Sequence, residues 1–342
     1  MFDIVFFYPE GHEAHAEPHH PERPERVEAI RTALKEVGLW EQYPRLHPLD
    51  VPRSILTSVH TRPYVDALKD ASQNGTRLDM DTYLTSESYR LALQAAGGAL
   101  SIATAVWLGR AKRGFALTRP PGHHATHDQA MGFCLLNNVA LAAEYLLREH
   151  RAKRIAIVDI DLHHGNGTQD IFYERDDVMF ISTHQSPLYP GTGSHAEVGQ
   201  HRGKGATVNI PLPPFSGDQA FLATVDEVIL PMLNRFKPNM ILVSAGFDTH
   251  WRDPLGYLLL SAQGYYDVIA RLSAFADAKC RGRLAMFLEG GYDLQGGSAS
   301  AVAAVSAMLG APFTDSLGQS DWEESDAWWK VLRDVREFWD LI

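Results

Sequence analysis

Six short apolar runs, Ile4–Phe7, Phe115–Leu117, Ile155–Ile160, Val178–Ser182, Met240–Ser244 and Leu284–Leu288, show no alternation of apolar with polar residues. A strand with one wet face alternates with period two, so runs of this kind predict strands buried on both faces. Helical stretches separate them, including Ser86–Leu108, Asn137–Arg148, Asp218–Arg235 and Ser261–Ala278, and several open on Ser, Asn or Asp, residues that cap helix N-termini. Alternating strand and helix implies an α/β fold with a mainly parallel central sheet and helices on both faces, because parallel strands need long crossovers. Open sheets of this kind bind ligands at the carboxyl ends of their strands. The residues just after each run are therefore the first place to look for chemistry.

No Pro/Ser-rich linker divides the chain, and residues 1–342 read as one domain. With 45% apolar and 21% charged residues it is globular, with a large core. Residues 9–26, polar and rich in His and Pro, read as an ordered loop. Toward the end, Trp328, Trp329, Leu332, Val335, Trp339 and Ile342 recur at helical spacing, an amphipathic helix over about 325–342 that either docks on the body or contacts a second copy, making a homo-oligomer.

The net charge of −11, with no block of Lys or Arg at either terminus, argues against nucleic acid and suits a cationic partner. Cys134 and Cys280 lie far apart with no Cys-x-x-Cys pair, which fits a reducing, cytoplasmic setting. The first residues read as a strand, not a cleaved leader, and no apolar run approaches the about 18 residues that would span a membrane.

After the run ending at Ile160, the carboxylates of Asp159 and Asp161 and the imidazole of His163 sit two residues apart, which in extended backbone aims them to one side. Oxygen and nitrogen donors of this kind suit Zn²⁺, and Asp248, just past Met240–Ser244, is the natural third ligand. The run Phe115–Leu117 leads into PPGHH, where His123 and His124 are placed to shuttle protons. Leu284–Leu288 leads into Glu289-Gly290-Gly291-Tyr292, and Tyr292 is either an oxyanion donor or a packing aromatic. Any one aspartate could equally cap a helix or turn. Four strand ends with compatible groups together point to metal-assisted attack of water on a carbonyl.

The motifs PPGHH, VDIDLHHGNGTQ, STHQSPLYPGTG, SAGFDTHWRDPLG and LEGGYDL, in this order from about Tyr8 to about Leu309, resemble those of the histone deacetylase family. That family includes bacterial histone deacetylase-like amidohydrolases and acetylpolyamine amidohydrolases. The resemblance implies the arginase/deacetylase α/β fold, zinc on Asp161, His163 and Asp248, and His124 as general base and then acid. It also implies His123 as electrostatic partner, Tyr292 polarising the scissile carbonyl, Asp159 orienting His123 and Asn166 orienting His124. Asparagine at the last position is similar to class II-like members, where class I enzymes carry aspartate. A structural K⁺ is implied near Asp159, Asp161, Ser182 and the carbonyls of His163 and Thr183. Gly132, Phe133 and Tyr189 match the acyl-lysine tunnel. Leu255 matches a rim position that is acidic in a polyamine-specific relative, which favours acylated lysine over an acetylated polyamine. A binding module without turnover and a binuclear manganese hydrolase of the arginase type are the remaining readings. Intact Tyr292, His123 and His124 disfavour the first, and the lack of a clear second ligand set disfavours the other.

Overall fold

The computed structural model describes residues 1–341. In chain order its elements are β1 (Phe2–Phe7), α1 (Glu25–Glu36), α2 (Leu39–Gln42), α3 (Arg53–Val59), α4 (Arg62–Asn74), α5 (Ser88–Trp107), β2 (Ala111–Ala116), α6 (Asn138–Glu149), β3 (Ile155–Asp159), α7 (Asn166–Phe172), β4 (Val178–Gln185), β5 (Thr207–Leu212), α8 (Asp218–Thr224), α9 (Leu230–Phe236), β6 (Met240–Ala245), α10 (Ala262–Lys279), β7 (Leu284–Leu288), α11 (Leu294–Leu309) and α12 (Trp328–Phe338). The strands form one sheet in the order β1-β2-β7-β6-β3-β4-β5, and every pairing is parallel.

Alternate residues of each central strand feed opposite faces. Ala156 and Val158 of β3 join a core layer with α1, α8, α10, α11 and α12, whereas Ile155 and Ile157 join a layer with α3, α4, α5 and α6. Both sets are buried, which is why β3 reads as an unbroken apolar run.

Where the elements depart from the apolar pattern, polar residues have found partners. β5 escapes that pattern because Asn209 and Pro211 interrupt it. As an edge strand it tolerates a proline that offers no N–H. β2 begins well before Phe115, since the buried Arg113 gives its guanidinium to Asp277 at 2.8 Å and to the Gly282 carbonyl. The helix expected over Asp218–Arg235 runs as α8, a π turn at Val225–Ile229, and α9. Pro231 lacks the N–H that would bond the preceding turn. Asn137 and Ser261 cap their helices as expected, but Asp218 does not. The Glu324 carboxylate accepts from the N–H groups of Gly217, Gln219 and Ala220 instead.

Residues 9–26 are mostly irregular, with a short 3-10 turn at His12–Ala14 and α1 beginning at Glu25. Their order comes from buried Glu22, whose carboxylate receives Arg119 at 2.7 and 3.0 Å and Arg26 at 3.0 Å. The amphipathic C-terminal helix is α12. Trp328, Leu332, Val335 and Trp339 are buried against the body, whereas Trp329 faces solvent and Ile342 lies outside the described residues. Among the described residues, no helix is long and apolar enough to cross a membrane.

Candidate active site

The carboxyl ends of β2, β7, β6 and β3 are neighbours in the sheet, so the segments that follow them converge. From β3 come Asp159, Asp161 and His163, from β6 Asp248, and from β7 Glu289 and Tyr292. The loop after β2 brings His123 and His124. All but His163 are buried, and His163 is nearly so.

The ligand atoms of Asp161, His163 and Asp248 all lie within 4.8 Å of one another. His163 Nδ1 is 3.2 Å from Asp161 Oδ1 and 3.3 Å from Asp248 Oδ2. Asp248 Oδ1 accepts the Leu162 N–H at 3.0 Å, while its Oδ2 is buried with no hydrogen-bond partner among the described residues. Two buried carboxylates this close repel each other unless positive charge lies beside them. The donor set and the orphaned oxygen fit a divalent metal ion. Close approach here needs Gly290, because a Cβ at that position would run into the Asp248 carboxylate.

The tandem histidines differ in their partners. His123 Nδ1 lies 2.9 Å from Asp159 Oδ2, a carboxylate, and His124 Nδ1 lies 2.7 Å from Asn166 Oδ1, an amide oxygen. Both acceptors require the ring Nδ1 to donate, which leaves each Nε2 for a second partner, and that of His123 lies 3.7 Å from Asp161 Oδ1. Burial works against charge on His123, but the carboxylates of Asp161 and Asp159 outweigh it and raise its pKa well above the ordinary range. His124 is pushed well below that range by burial and then by the like charges of His123 and His163.

Aromatic rings frame the cluster. Tyr189 stands edge-on to His124 at 5.2 Å between centroids, and Phe133 edge-on to Tyr292 at 5.8 Å. Gly132, with φ +54°, passes so close beneath that a Cβ would meet the His124 ring. Leu255 is half-buried and its N–H donates to Asp253 Oδ1 at 3.0 Å. The other Asp253 oxygen accepts from the N–H groups of Tyr292, at 2.6 Å, and Asp293, so the rim and the tyrosine loop share one anchor.

The structure thus brings together all twelve residues singled out from sequence: Asp161, His163, Asp248, His123, His124, Asp159, Asn166, Tyr292, Gly132, Phe133, Tyr189 and Leu255. It adds others that sequence reasoning missed. Glu289, raised to about 7 by burial, accepts from the N–H groups of Gly122 at 2.7 Å and His123 at 3.1 Å, fixing the tandem-histidine loop. Its place directly after a buried strand was a usable signal. Arg26 donates to the carbonyls of Gly291 and Glu289, both at 2.5 Å, and lies 4.7 Å from the Tyr292 ring. Nothing in its local sequence separates Arg26 from the other charges of the His/Pro-rich loop. The pairing of β3 with β4 sets Asp159 beside Ser182.

The family profile of the histone deacetylase domain matches residues 20–308. A probable deacetylase of Archaeoglobus fulgidus is 44% identical over 298 residues, covering 86% of this chain and 83% of that one. A histone deacetylase-like amidohydrolase of Pseudomonas aeruginosa is 41% identical over 239 residues, covering 69% of this chain and 63% of its own. The crystal structure of the HDA15 HD domain superposes with a TM-score of 0.90 at 37% identity, covering 99% of this chain and 96% of that one. The α/β architecture is therefore the arginase/deacetylase fold, and the chain belongs to the histone deacetylase family of hydrolases.

Proposed function

We propose that this protein is a zinc-dependent deacetylase that hydrolyses the N-acyl amide of acylated lysine side chains. The observation that carries the reading is the meeting of a three-ligand cluster, two differently tuned histidines and a tyrosine at four adjacent strand ends. Asp161, His163 and Asp248 would hold Zn²⁺, which when bound supplies Lewis acidity to the substrate carbonyl and to water. The chain's own residues do the rest. The His124 ring, kept neutral by burial and by the neighbouring histidines and held with its proton on Nδ1 by Asn166, uses Nε2 to take a proton from the attacking water and return it to the leaving amine nitrogen. His123, tied to Asp159, keeps positive charge beside the developing negative charge. The Tyr292 hydroxyl donates to the carbonyl oxygen as it becomes an oxyanion. Phe133 and Tyr189 shed water from the methylene stem, with Gly132 leaving the space between them. A structural K⁺ near Asp159, Asp161 and Ser182 belongs to the same proposal and rests on the family resemblance alone. Both cysteines are free, which supports a reducing, cytoplasmic setting.

Acetylpolyamine hydrolysis is the second reading, and one observation favours it. The Phe133 N–H donates to Thr82 Oγ1 at 3.3 Å, which brings the loop that carries Asp79 and Asp81 to the mouth. Leu255 at the rim weighs the other way. Turnover of an acetyl-lysine peptide against N8-acetylspermidine tests the choice. The peptide is expected to have the higher kcat/KM, and Leu255→Glu to narrow or reverse the ratio. A wild type preferring the polyamine by about tenfold or more would refute the lysine assignment.

A further inference from the structure

The opposite end of the same four strands carries an unexplained concentration of positive charge. The segments that enter β2, β7, β6 and β3 are residues 110–113 (RAKR), 279–283 (KCRGR), 235–238 (RFKP) and 151–154 (RAKR), in a chain whose net charge is −11. They are tied together by the Ile241 N–H to the Arg283 carbonyl at 3.0 Å and the Asn239 N–H to the Arg154 carbonyl at 2.8 Å. The Asn239 side chain adds bonds to the N–H groups of Lys153 and Arg154 at 3.0 and 3.1 Å. Two of these segments, with Trp107 and Asn239, line a recess of about 300 Å³, to which they bring Arg151, Lys153, Lys279, Arg281 and Arg283 and no carboxylate. The ion pairs of this end, Arg113 with Asp277, Lys112 with Asp3 and Arg148 with Glu144, use other cations. Among the described residues none of the five recess cations has an acidic partner.

Helix-end charge does not account for all of these cations. The helices α5, α6, α9 and α10 end here, and each C-terminus carries about −0.5 charge, so together they offset roughly two positive charges, fewer than the recess presents. Arg151 (φ 55°) and Arg281 (φ 57°) hold left-handed positions just past the ends of α6 and α10, where glycine would fit with less strain. The guanidinium of Arg283, stacked over Trp107 at 4.0 Å, has its pKa lowered by burial and by the neighbouring Arg281, as expected of a cation whose nearest charge is another cation.

We propose that this recess binds a small ligand bearing two or more phosphoryl groups. Guanidinium groups match phosphoryl oxygens bidentately, and lysines neutralise the remaining charge. Five convergent cations exceed what a single phosphate dianion neutralises, and a recess of about 300 Å³ with an otherwise acidic chain around it suits a compact polyanion over a polymer. The test is calorimetric titration of the full chain with tripolyphosphate and with pyrophosphate, at ionic strength held constant with chloride. Saturable binding is expected, weakened about tenfold or more in Lys279→Gln/Arg281→Gln. Arg151→Gly should also weaken binding while leaving thermal stability unchanged or raised, because glycine relieves the left-handed position. Equal affinity in wild type and both variants, or heat that tracks ionic strength alone, overturns the proposal. So does loss of stability in Lys279→Gln/Arg281→Gln with unchanged tripolyphosphate binding, which would make the cations helix-end caps only. Capture by anionic vesicles or RNA that tripolyphosphate does not displace would assign the surface to a polymer or membrane and overturn it as well.

Discussion

Tyr292→Phe isolates the proposed oxyanion donor. Among the described residues, the hydrogen bond that holds Tyr292 is made by its backbone, the N–H donating to Asp253 at 2.6 Å, and its ring packs edge-on to Phe133 and against Arg26. Phenylalanine keeps the backbone bond and both ring contacts, so stability should change by less than about 1 kcal/mol. The lost hydroxyl matters only where charge develops. Deleting one donor from an oxyanion site costs about 3–4 kcal/mol, so kcat should fall by roughly 10²–10³-fold. Because the bond strengthens mainly in the transition state, kcat and kcat/KM should fall together, with KM little changed. The assay is steady-state hydrolysis of an acetyl-lysine peptide by zinc-loaded wild type and variant, alongside metal content and thermal melting. Activity within about threefold of wild type, at equal zinc content, would refute the donor role and leave Tyr292 as a packing residue.

Other consequences are equally direct. Asp248→Ala should lose both the about one zinc per chain expected of the wild type and its activity while still folding, and full zinc occupancy in an active variant would remove Asp248 from the ligand set. Glu289→Gln keeps an acceptor for Gly122 and His123 but alters the charge beneath the histidine loop. It should cost roughly 10-fold or more in kcat with zinc retained, and a wild-type rate would make Glu289 dispensable. His60 is one of several buried histidines that contribute to acid stability. Its Nδ1–H donates to the Thr126 carbonyl at 2.8 Å, its Nε2 accepts the Asn137 N–H at 2.9 Å, and burial lowers its pKa to about 4. The unfolded chain binds this proton near pH 6.5 and the folded one only near 4, so its contribution is complete above 6.5 and disappears as pH falls to 4, about 3 kcal/mol in all. Urea unfolding from pH 7.5 to 4 should show a shallower pH slope in His60→Gln, and an identical slope would exclude His60.

The division between what was legible in sequence and what was not follows from the range of the interactions. Burial on both faces marks a strand locally, so the six apolar runs identify six of the seven strands, and the strand ends direct attention to Asp161, His163, Asp248, the tandem histidines and Tyr292. β5 was hidden because an edge strand admits Asn209 and Pro211, which only its position in the sheet makes tolerable. Motif resemblance reached the residues whose partners are distant, such as Asn166 and Tyr189, but not Glu289, Arg26 or Asp253, which act through backbone groups of other segments. The net charge of −11 concealed the basic recess entirely. Its cations come from two segments, residues 151–153 and 279–283, and strand order sets these near one another by placing β3 and β7 on either side of β6. Sequence determines what a residue can do within a few neighbours along the chain. Which charges face one another across the sheet is decided by the parallel crossovers, because each returns the chain to the same edge and so stacks like ends together.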